Sequence, residues 1–179
     1  MDIQIRKLEI SDKTSDFDCG DAPLNEYLRR YALSNQGKLV GTTYVALYVP
    51  SSQIIAYYTI ASTNIPRSAI PEMLLKGLPK YQDMPALLLG RFAVHRQAQR
   101  KKIGELLLSH CLETCLHIAK LGGARYILTD AYESAVSWYA RFGFAKIHGN
   151  SDPNTTKMFL DLAVVRSAIQ HQGKETQDK

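Results

Sequence analysis

Two segments of the 179-residue chain combine residue types that could do chemistry. In the first, Leu87–Leu108, an apolar strand is followed by a short basic loop and the start of a helix. The first turn of a helix offers unpaired backbone N–H groups and the positive end of the helix dipole, and both attract anions. Gly104 would allow a ligand close to the backbone, and Arg100 adds positive charge. The pattern suits a pyrophosphate site or, alternatively, a solvated basic loop that caps a structural helix.

The second segment is the aromatic stretch Ser137–Phe144, which contains Tyr139. Aromatic residues at helical spacing often form part of a core, so packing alone would explain them. A phenol with a pKa of about 10 nevertheless keeps its proton at neutral pH and can donate it to a departing thiolate. Tyr139 is therefore a candidate general acid as well as a candidate core residue.

The cysteines do not form a recognisable framework. Cys19, Cys111 and Cys115 have no histidine partners at the spacing of a metal site. Cys111 and Cys115 lie four residues apart in an apolar helical pattern, which places both on the same helix face. We expect thiols that pack as small hydrophobic groups, and no metal centre.

The elements that would position these segments alternate between strands and helices. Clusters of β-branched and aromatic residues predict strands over residues 3–5, 42–49, 54–60, 87–94, 126–129, 144–147 and 157–162. Helical periodicity predicts helices over residues 23–36, 70–77, 103–121 and 133–142, and from 163. The strand over 87–94 is the most continuous apolar run and is expected at the centre of the sheet, and the last two strands are expected to pair. The predicted fold class is an α/β sandwich with a mixed sheet and flanking helices.

The long helix over 103–121 is expected to be amphipathic. Its predicted apolar side consists of Leu106, Leu107, Cys111, Cys115, Leu116 and Ala119.

Composition and charge narrow the class of protein. Apolar residues make up 45 % of the chain, which is ordinary for a globular protein and too high for a disordered one. No apolar run approaches the roughly 20 residues of a membrane span, and no secretory signal is visible at the N-terminus. We expect a cytoplasmic protein with one domain over residues 1–165, followed by a helix end and a polar tail over 166–179. The net charge of +5 is compatible with an anionic partner such as coenzyme A or RNA.

Together, the two segments resemble the GNAT acetyltransferase superfamily, whose order of elements the chain follows over about residues 3–162. The resemblance rests on Leu89–Val94, Gln99–Leu107, Asp130-Ala131 and Trp138–Phe144. A narrower likeness is to GNAT toxins of bacterial toxin–antitoxin pairs, of the TacT and AtaT kind. It rests on Phe17–Gly20, Leu24-Asn25, Tyr27-Leu28, Gln36 and Thr42–Val45. Those toxins acetylate the α-amine of the amino acid on charged tRNA and so stop translation.

The resemblance implies a mixed, mostly antiparallel GNAT sheet and an enzyme that uses acetyl-coenzyme A. A backbone N–H at the end of the strand would polarise the thioester carbonyl, and Tyr139 would protonate the coenzyme A thiolate. The amine attacks directly, and no general base is assigned. The residues implied in cofactor binding are Phe92, Ala93, Val94, Gln99, Arg100, Lys101, Lys102, Ile103, Gly104 and Glu105.

The toxin likeness also implies partners, namely aminoacyl-tRNA, a small DNA-binding antitoxin and a second copy of the chain. Basic residues could contact the phosphates of the tRNA acceptor stem. The candidates are Arg6, Lys7, Arg29, Arg30 and Lys38.

One position departs from the superfamily pattern Gln/Arg-x-x-Gly-x-Gly/Ala, because Lys102 stands in place of the first glycine. A left-handed backbone there would cost a lysine about 1 kcal/mol or more. The side chain could block the phosphate, or it could swing outwards and add a charge. Two alternatives to the toxin therefore stay open: a GNAT enzyme for a small amine or protein lysine, and a non-catalytic GNAT-like binding module.

Overall fold

The structure, a computed structural model, describes residues 2–147 and 152–175, with side chains described up to residue 170. Its strands are β1 (Ile3–Lys7), β2 (Thr42–Tyr48), β3 (Gln53–Pro66), β4 (Asp83–Val94), β5 (Tyr126–Tyr132), β6 (Ala145–Lys146) and β7 (Thr155–Asp161). Within the described residues these seven strands form one sheet in the order β1-β2-β3-β4-β5-β7-β6. The apolar strand β4 is therefore central, as predicted.

The pairing of the strands confirms the predicted mixed and mostly antiparallel sheet. β1 pairs with β2 and β2 with β3 in antiparallel fashion, as do β5 with β7 and β6 with β7. β4 and β5 are parallel. A parallel pair needs a long crossover between its strands, and the helix that follows β4 supplies it.

The helices are α1 (Ala22–Glu26), α2 (Ala32–Gly37), α3 (Glu72–Leu75), α4 (Ile103–Gly122), α5 (Glu133–Ala140) and α6 (Leu162–Glu175). The Asp21 side chain caps α1 by accepting a hydrogen bond from Leu24 N, and a proline occupies the first turn. α4 begins at the predicted residue. Between α1 and α2, Tyr27–Tyr31 form a π-helical segment that the periodicity does not predict. α6 continues to Glu175, and residues 176–179 of the predicted tail lie outside the described residues.

The chain divides into two compact units, and the first consists of Met1–Ala61 and Leu89–Glu113. Its core joins Leu28 of the π-helical segment to strand residues such as Tyr57 and Ala93. All three side chains are nearly inaccessible to solvent. The packed side chains of this core therefore fix the position of the end of β4.

The second unit consists of Ser62–Leu88 and Thr114–Lys179. Its core includes Met84 of β4, Tyr126 of β5 and Phe159 of β7. The rings of Tyr126 and Phe159 meet edge to face, with centroids 5.9 Å apart.

The buried side of α4 differs from the prediction at one position. Leu106 is 46 % exposed, so its predicted place on the apolar side is wrong, while Leu107, Cys111 and Cys115 are buried as predicted. Leu108 is buried in its place. A helical stripe covers only part of the circumference, and at about 100° per residue Leu106 lies outside the stripe that these buried residues define.

The thiols pack within the protein. Cys111 and Cys115 are buried, and Cys19 is half-buried. Among the described residues, no group of three or more His, Cys, Asp or Glu side chains is placed to hold a metal ion. A search of the same residues also finds no helix whose length and hydropathy would let it cross a membrane.

Candidate active site

At the end of β4, successive side chains alternate between the core and the opposite face of the strand. Ala93 is buried in the core of the first unit, whereas Phe92 and Val94 are half-buried. Successive residues of a strand point to opposite faces, so Ala93 anchors the strand and its two neighbours line the other face. The His95 N–H donates to the Ile55 carbonyl at 2.8 Å.

A tight turn follows the strand. His95 begins it, since its Nδ1 accepts a hydrogen bond from Gln97 N at 3.2 Å and its carbonyl accepts one from Ala98 N at 2.8 Å. The Gln99 side chain reaches back and donates to the Val94 carbonyl at 3.0 Å. The chain direction between the strand and the helix is therefore fixed by hydrogen bonds over five residues.

The loop between this turn and α4 has an unusual backbone. Arg100 and Lys102 both have left-handed conformations, with φ of 60° and 62°. Lys102 thus adopts the backbone conformation that favours glycine, at the position where the superfamily pattern has glycine. Alternation of left-handed with ordinary residues turns successive N–H groups towards one side and forms a concave nest that binds anions.

The nest continues into the N-terminus of α4. The Leu106 N–H donates to the Lys102 carbonyl at 3.1 Å, so the N–H groups of Ile103, Gly104 and Glu105 precede the helical hydrogen-bond ladder. Ile103 is 4 % exposed, so its side chain packs in the interior. Gly104 has no side chain to cover these N–H groups.

Positive charge surrounds the same nest. The side chains of Arg100, Lys101 and Lys102 are all exposed. Lys102 is therefore outside the core, and its exposure is compatible with both the blocking and the outward alternative. Together the loop and the helix start can hold a diphosphate through N–H groups, the helix dipole and mobile cations.

The predicted acid, Tyr139, lies in the second unit near the end of α5. Its side chain is 5 % exposed and meets the rings of Trp138 and Phe144 edge to face, at centroid distances of 5.0 and 5.2 Å. Gly143, with φ of 87°, ends the helical turn, and the Phe144 N–H then donates to the Tyr139 carbonyl at 3.4 Å. Tyr139 is therefore both a packed residue and one whose ring orientation is fixed.

Asp130, from the Asp130-Ala131 pair of the resemblance, also lies in the second unit and makes an ion pair there. Asp130 forms an ion pair with Lys157, with Oδ1 and Nζ 3.0 Å apart. Both side chains are about two-fifths exposed, so the pair contributes little to stability. The adjacent Glu133 accepts a hydrogen bond from Thr156 at 3.1 Å.

A model of the acetyltransferase (GNAT) domain matches residues 40–146, which is more than half of the chain. The chain belongs to the GNAT acetyltransferase family. The matched range includes the end of β4, the loop nest and Tyr139, so the segments that could do chemistry are those of the family domain.

Similar proteins resemble this GNAT chain over most of its length. A tRNA-acetylating toxin of Mycobacterium tuberculosis is 28 % identical over 78 % of this chain and 82 % of its own. A solved structure of AtaT complexed with acetyl-methionyl-tRNAfMet is 24 % identical, has a TM-score of 0.84, and covers 94 % of this chain and 99 % of that chain. Another, an AtaT tyrosine-to-phenylalanine mutant toxin bound to the C-terminus of the antitoxin AtaR and acetyl-CoA, is 21 % identical, with a TM-score of 0.78 and coverage of 94 % and 99 %.

The left-handed backbone of Lys102 leads to a testable expectation. Lys102→Gly should leave the affinity for acetyl-coenzyme A equal or better, because glycine populates the left-handed conformation of the nest about 1 kcal/mol more readily, which offsets the loss of one exposed cation, and every N–H group is kept. Calorimetric titration with acetyl-coenzyme A measures this affinity. The matched control is Lys101→Gly, which removes the same charge at a residue without positive φ and should weaken binding.

A large loss of affinity in Lys102→Gly, equal to that of Lys101→Gly or greater, would contradict the expectation. It would mean that the ammonium group of Lys102 is itself a phosphate ligand.

Proposed function

We propose that the chain is the toxin of a type II toxin–antitoxin system, and that it transfers the acetyl group of acetyl-coenzyme A to the α-amine of the amino acid on charged tRNA. The observation that carries the enzymatic part is the N–H nest at Arg100–Lys102 with the open helix start behind it. The substrate part is supported by the likeness to the tRNA-acetylating toxin of Mycobacterium tuberculosis. Residues 1–165 would form the acetyltransferase domain.

In this proposal, the end of β4 binds the pantetheine arm. The backbone of Phe92–Val94 pairs with the arm as a further strand would, and one N–H there stabilises the negative charge that develops on the thioester oxygen. The nest and the N–H groups of Gly104 and Glu105 hold the pyrophosphate. Ala93 contributes through its backbone, since its side chain is part of the core.

The reaction needs one acid. The lone pair of the amine attacks the thioester carbonyl, an N–C bond forms, and the C–S bond breaks. Tyr139 gives its proton to the departing thiolate, and water takes the proton that the amine loses. The α-amine of an aminoacyl ester is less basic than a lysine side chain, so a large share of it is neutral near pH 7 and no protein base is needed.

Three of the basic residues considered for tRNA contacts have partners within the protein. Arg6 is committed to Asp12 through two hydrogen bonds, at 2.7 and 2.9 Å. Arg30 pairs with Glu26 at 3.2 Å, and Arg29 donates to the Phe17 carbonyl at 2.6 Å.

Lys7 and Lys38 are exposed, and we propose that they contact backbone phosphates together with Arg30, whose exposed pair with Glu26 is weak.

The proposed partners follow from the same reading. A cognate antitoxin with a DNA-binding part would neutralise the enzyme, as the AtaR complex of a similar structure suggests. We further propose a cytoplasmic location, where charged tRNA is found, and a homodimer.

A single assay separates the proposed substrate from the alternatives. Radiolabelled acetyl-coenzyme A is incubated with the chain and, in parallel, with aminoacyl-tRNA, uncharged tRNA, spermidine and a lysine peptide. We expect label only on aminoacyl-tRNA, recovered as N-acetyl amino acid after mild alkaline release. Label on spermidine or the peptide would instead indicate a GNAT enzyme for small amines or protein lysines. Absence of calorimetric heat with acetyl-coenzyme A would indicate a binding module without this cosubstrate.

A further inference from the structure

We infer that Asn25 is a positioning residue for the acetyl-coenzyme A loop, and that it acts through the turn Asp18–Gly20 and the Gln99 side chain. The inference rests on the proposed function, because the loop is the proposed pyrophosphate site. All of the residues concerned belong to the first unit. None of them is expected to touch the reacting atoms.

Asn25 holds the turn with both ends of its amide. Its Oδ1 accepts a hydrogen bond from Cys19 N at 2.9 Å, and its Nδ2 donates to Asp18 Oδ1 at 2.9 Å. The same Asp18 oxygen accepts from Gly20 N at 2.9 Å. Asn25 is 8 % exposed, so its own amide has little access to water as a replacement.

The turn Asp18–Gly20 is hydrogen-bonded to the loop that precedes α4. Arg96 N donates to the Asp18 carbonyl at 2.8 Å, and Gln99 Nε2 donates to the Cys19 carbonyl at 2.9 Å. Arg96 Nε also lies 3.4 Å from Asp18 Oδ2. Since Gln99 Nε2 donates to the Val94 carbonyl as well, one amide group links the turn, the end of β4 and the start of the nest.

The nest needs such support. Arg100 and Lys102, which are separated by one residue, both have the left-handed backbone conformation that residues with a side chain disfavour. Strained conformations persist where the surroundings over-determine them. The contacts of the turn end at Gln99, the residue immediately before Arg100, which is the point where the backbone enters the nest.

The chemistry of the turn requires an amide at position 25. Hydrogen bonds from Gly20 N and Asn25, together with the Arg96 charge, lower the pKa of Asp18, so this carboxylate is ionised at neutral pH and accepts from the Asn25 amide. Burial raises the pKa of the Cys19 thiol, which stays protonated beside Asn25 Oδ1 at 3.1 Å. Aspartate at position 25 would set a second carboxylate against Asp18, and alanine would leave Cys19 N unpaired.

The test is Asn25→Ala in the full chain. We expect the dissociation constant for acetyl-coenzyme A to rise about tenfold or more, since the part-buried Cys19 N–H and the Asp18 carboxylate lose their partners and no longer hold the turn against Gln99. The turnover number at saturating acetyl-coenzyme A should change by less than about threefold, because Tyr139 is untouched. The control is Tyr57→Phe, which removes the 2.7 Å hydrogen bond from Tyr57 Oη to the Leu24 carbonyl on the same helix but leaves the turn intact.

A double-mutant cycle with Gln99→Ala separates positioning from general destabilisation. If Asn25 acts through Gln99, the two single changes and the double change raise the dissociation constant by similar factors. Additive factors, an unchanged dissociation constant, or losses matched by Tyr57→Phe would overturn the inference. If Asn25→Ala does not fold, Asp18→Ala replaces it with the same expectations, as that side chain is 42 % exposed. Wild-type chain that binds no acetyl-coenzyme A would contradict the proposed function, whereas normal binding by Asn25→Ala contradicts the inference alone.

Discussion

Gly104→Asp should abolish acetyl transfer while leaving the protein folded. Gly104 is the second residue of α4, and its N–H belongs to the open helix start. A carboxylate there would lie against the proposed pyrophosphate, and two unit charges about 5 Å apart repel by roughly 3 kcal/mol at an effective dielectric constant of 20. We expect a loss of about a hundredfold or more in affinity for acetyl-coenzyme A, measured by calorimetry and as the Michaelis constant.

Gly104→Asp should not lower the thermal midpoint, so a loss of affinity would not be due to unfolding. An acidic residue in the first turn of a helix favours the helix dipole, and replacing a helical glycine restricts the unfolded chain. The matched control is Gly104→Asn, which has nearly the same size without the charge and should retain more affinity. An unchanged Michaelis constant in Gly104→Asp would contradict the proposed nest.

The core elements could be predicted because their sequence patterns are strong. The apolar run of β4 predicted its central place, and the periodicity after Lys102 predicted the first residue of α4. β3 was harder: it was predicted over 54–60, and the structure extends it from Gln53 to Pro66. Its second half alternates exposed and buried residues, and its exposed Ser62 and Asn64 have low strand propensity, so the pairing of the strand outweighs local preference.

The nest shows both the reach and the limit of sequence reasoning. The pattern around Gln99 and Gly104 located the loop, and Lys102 was recognised as a departure from it. Whether the lysine keeps the glycine conformation could not be decided, because left-handed backbone is only mildly unfavourable for lysine and depends on what holds the loop. The structure gives φ of 62° and an exposed side chain.

The support of the nest could not be predicted at all. Asp18 and Asn25 belong to the segments of the toxin likeness, and neither was assigned a role at the cofactor site. Their effect depends on the hydrogen bond between Gln99 and Cys19, which are 80 residues apart in the chain. Residue types that favour turns explain why Asp18-Cys19-Gly20 form one, but not what the turn contacts.

Tyr139→Phe should lower the turnover number about a hundredfold or more, which is the ordinary contribution of a general acid. The ring contacts with Trp138 and Phe144 are kept, so the Michaelis constant for acetyl-coenzyme A should hardly change. The free energy of unfolding should fall by no more than about 1 kcal/mol, which is the contribution of a single hydrogen bond. The thermal midpoint should fall only by the corresponding amount. Steady-state kinetics with labelled acetyl-coenzyme A measures both constants, and growth arrest on expression should be relieved.

The control for this change is Tyr126→Phe in the same unit. Tyr126 is fully buried, and within the described residues its hydroxyl has no hydrogen-bond partner, so its removal should affect neither turnover nor stability. Both variants remove a phenolic oxygen from a buried tyrosine of the same unit, and only Tyr139 is proposed to act in the chemistry. Full turnover in Tyr139→Phe would show that the leaving thiolate takes its proton from elsewhere. A raised Michaelis constant at normal turnover would assign Tyr139 to binding, because a group that acts only in the transition state changes the turnover number instead.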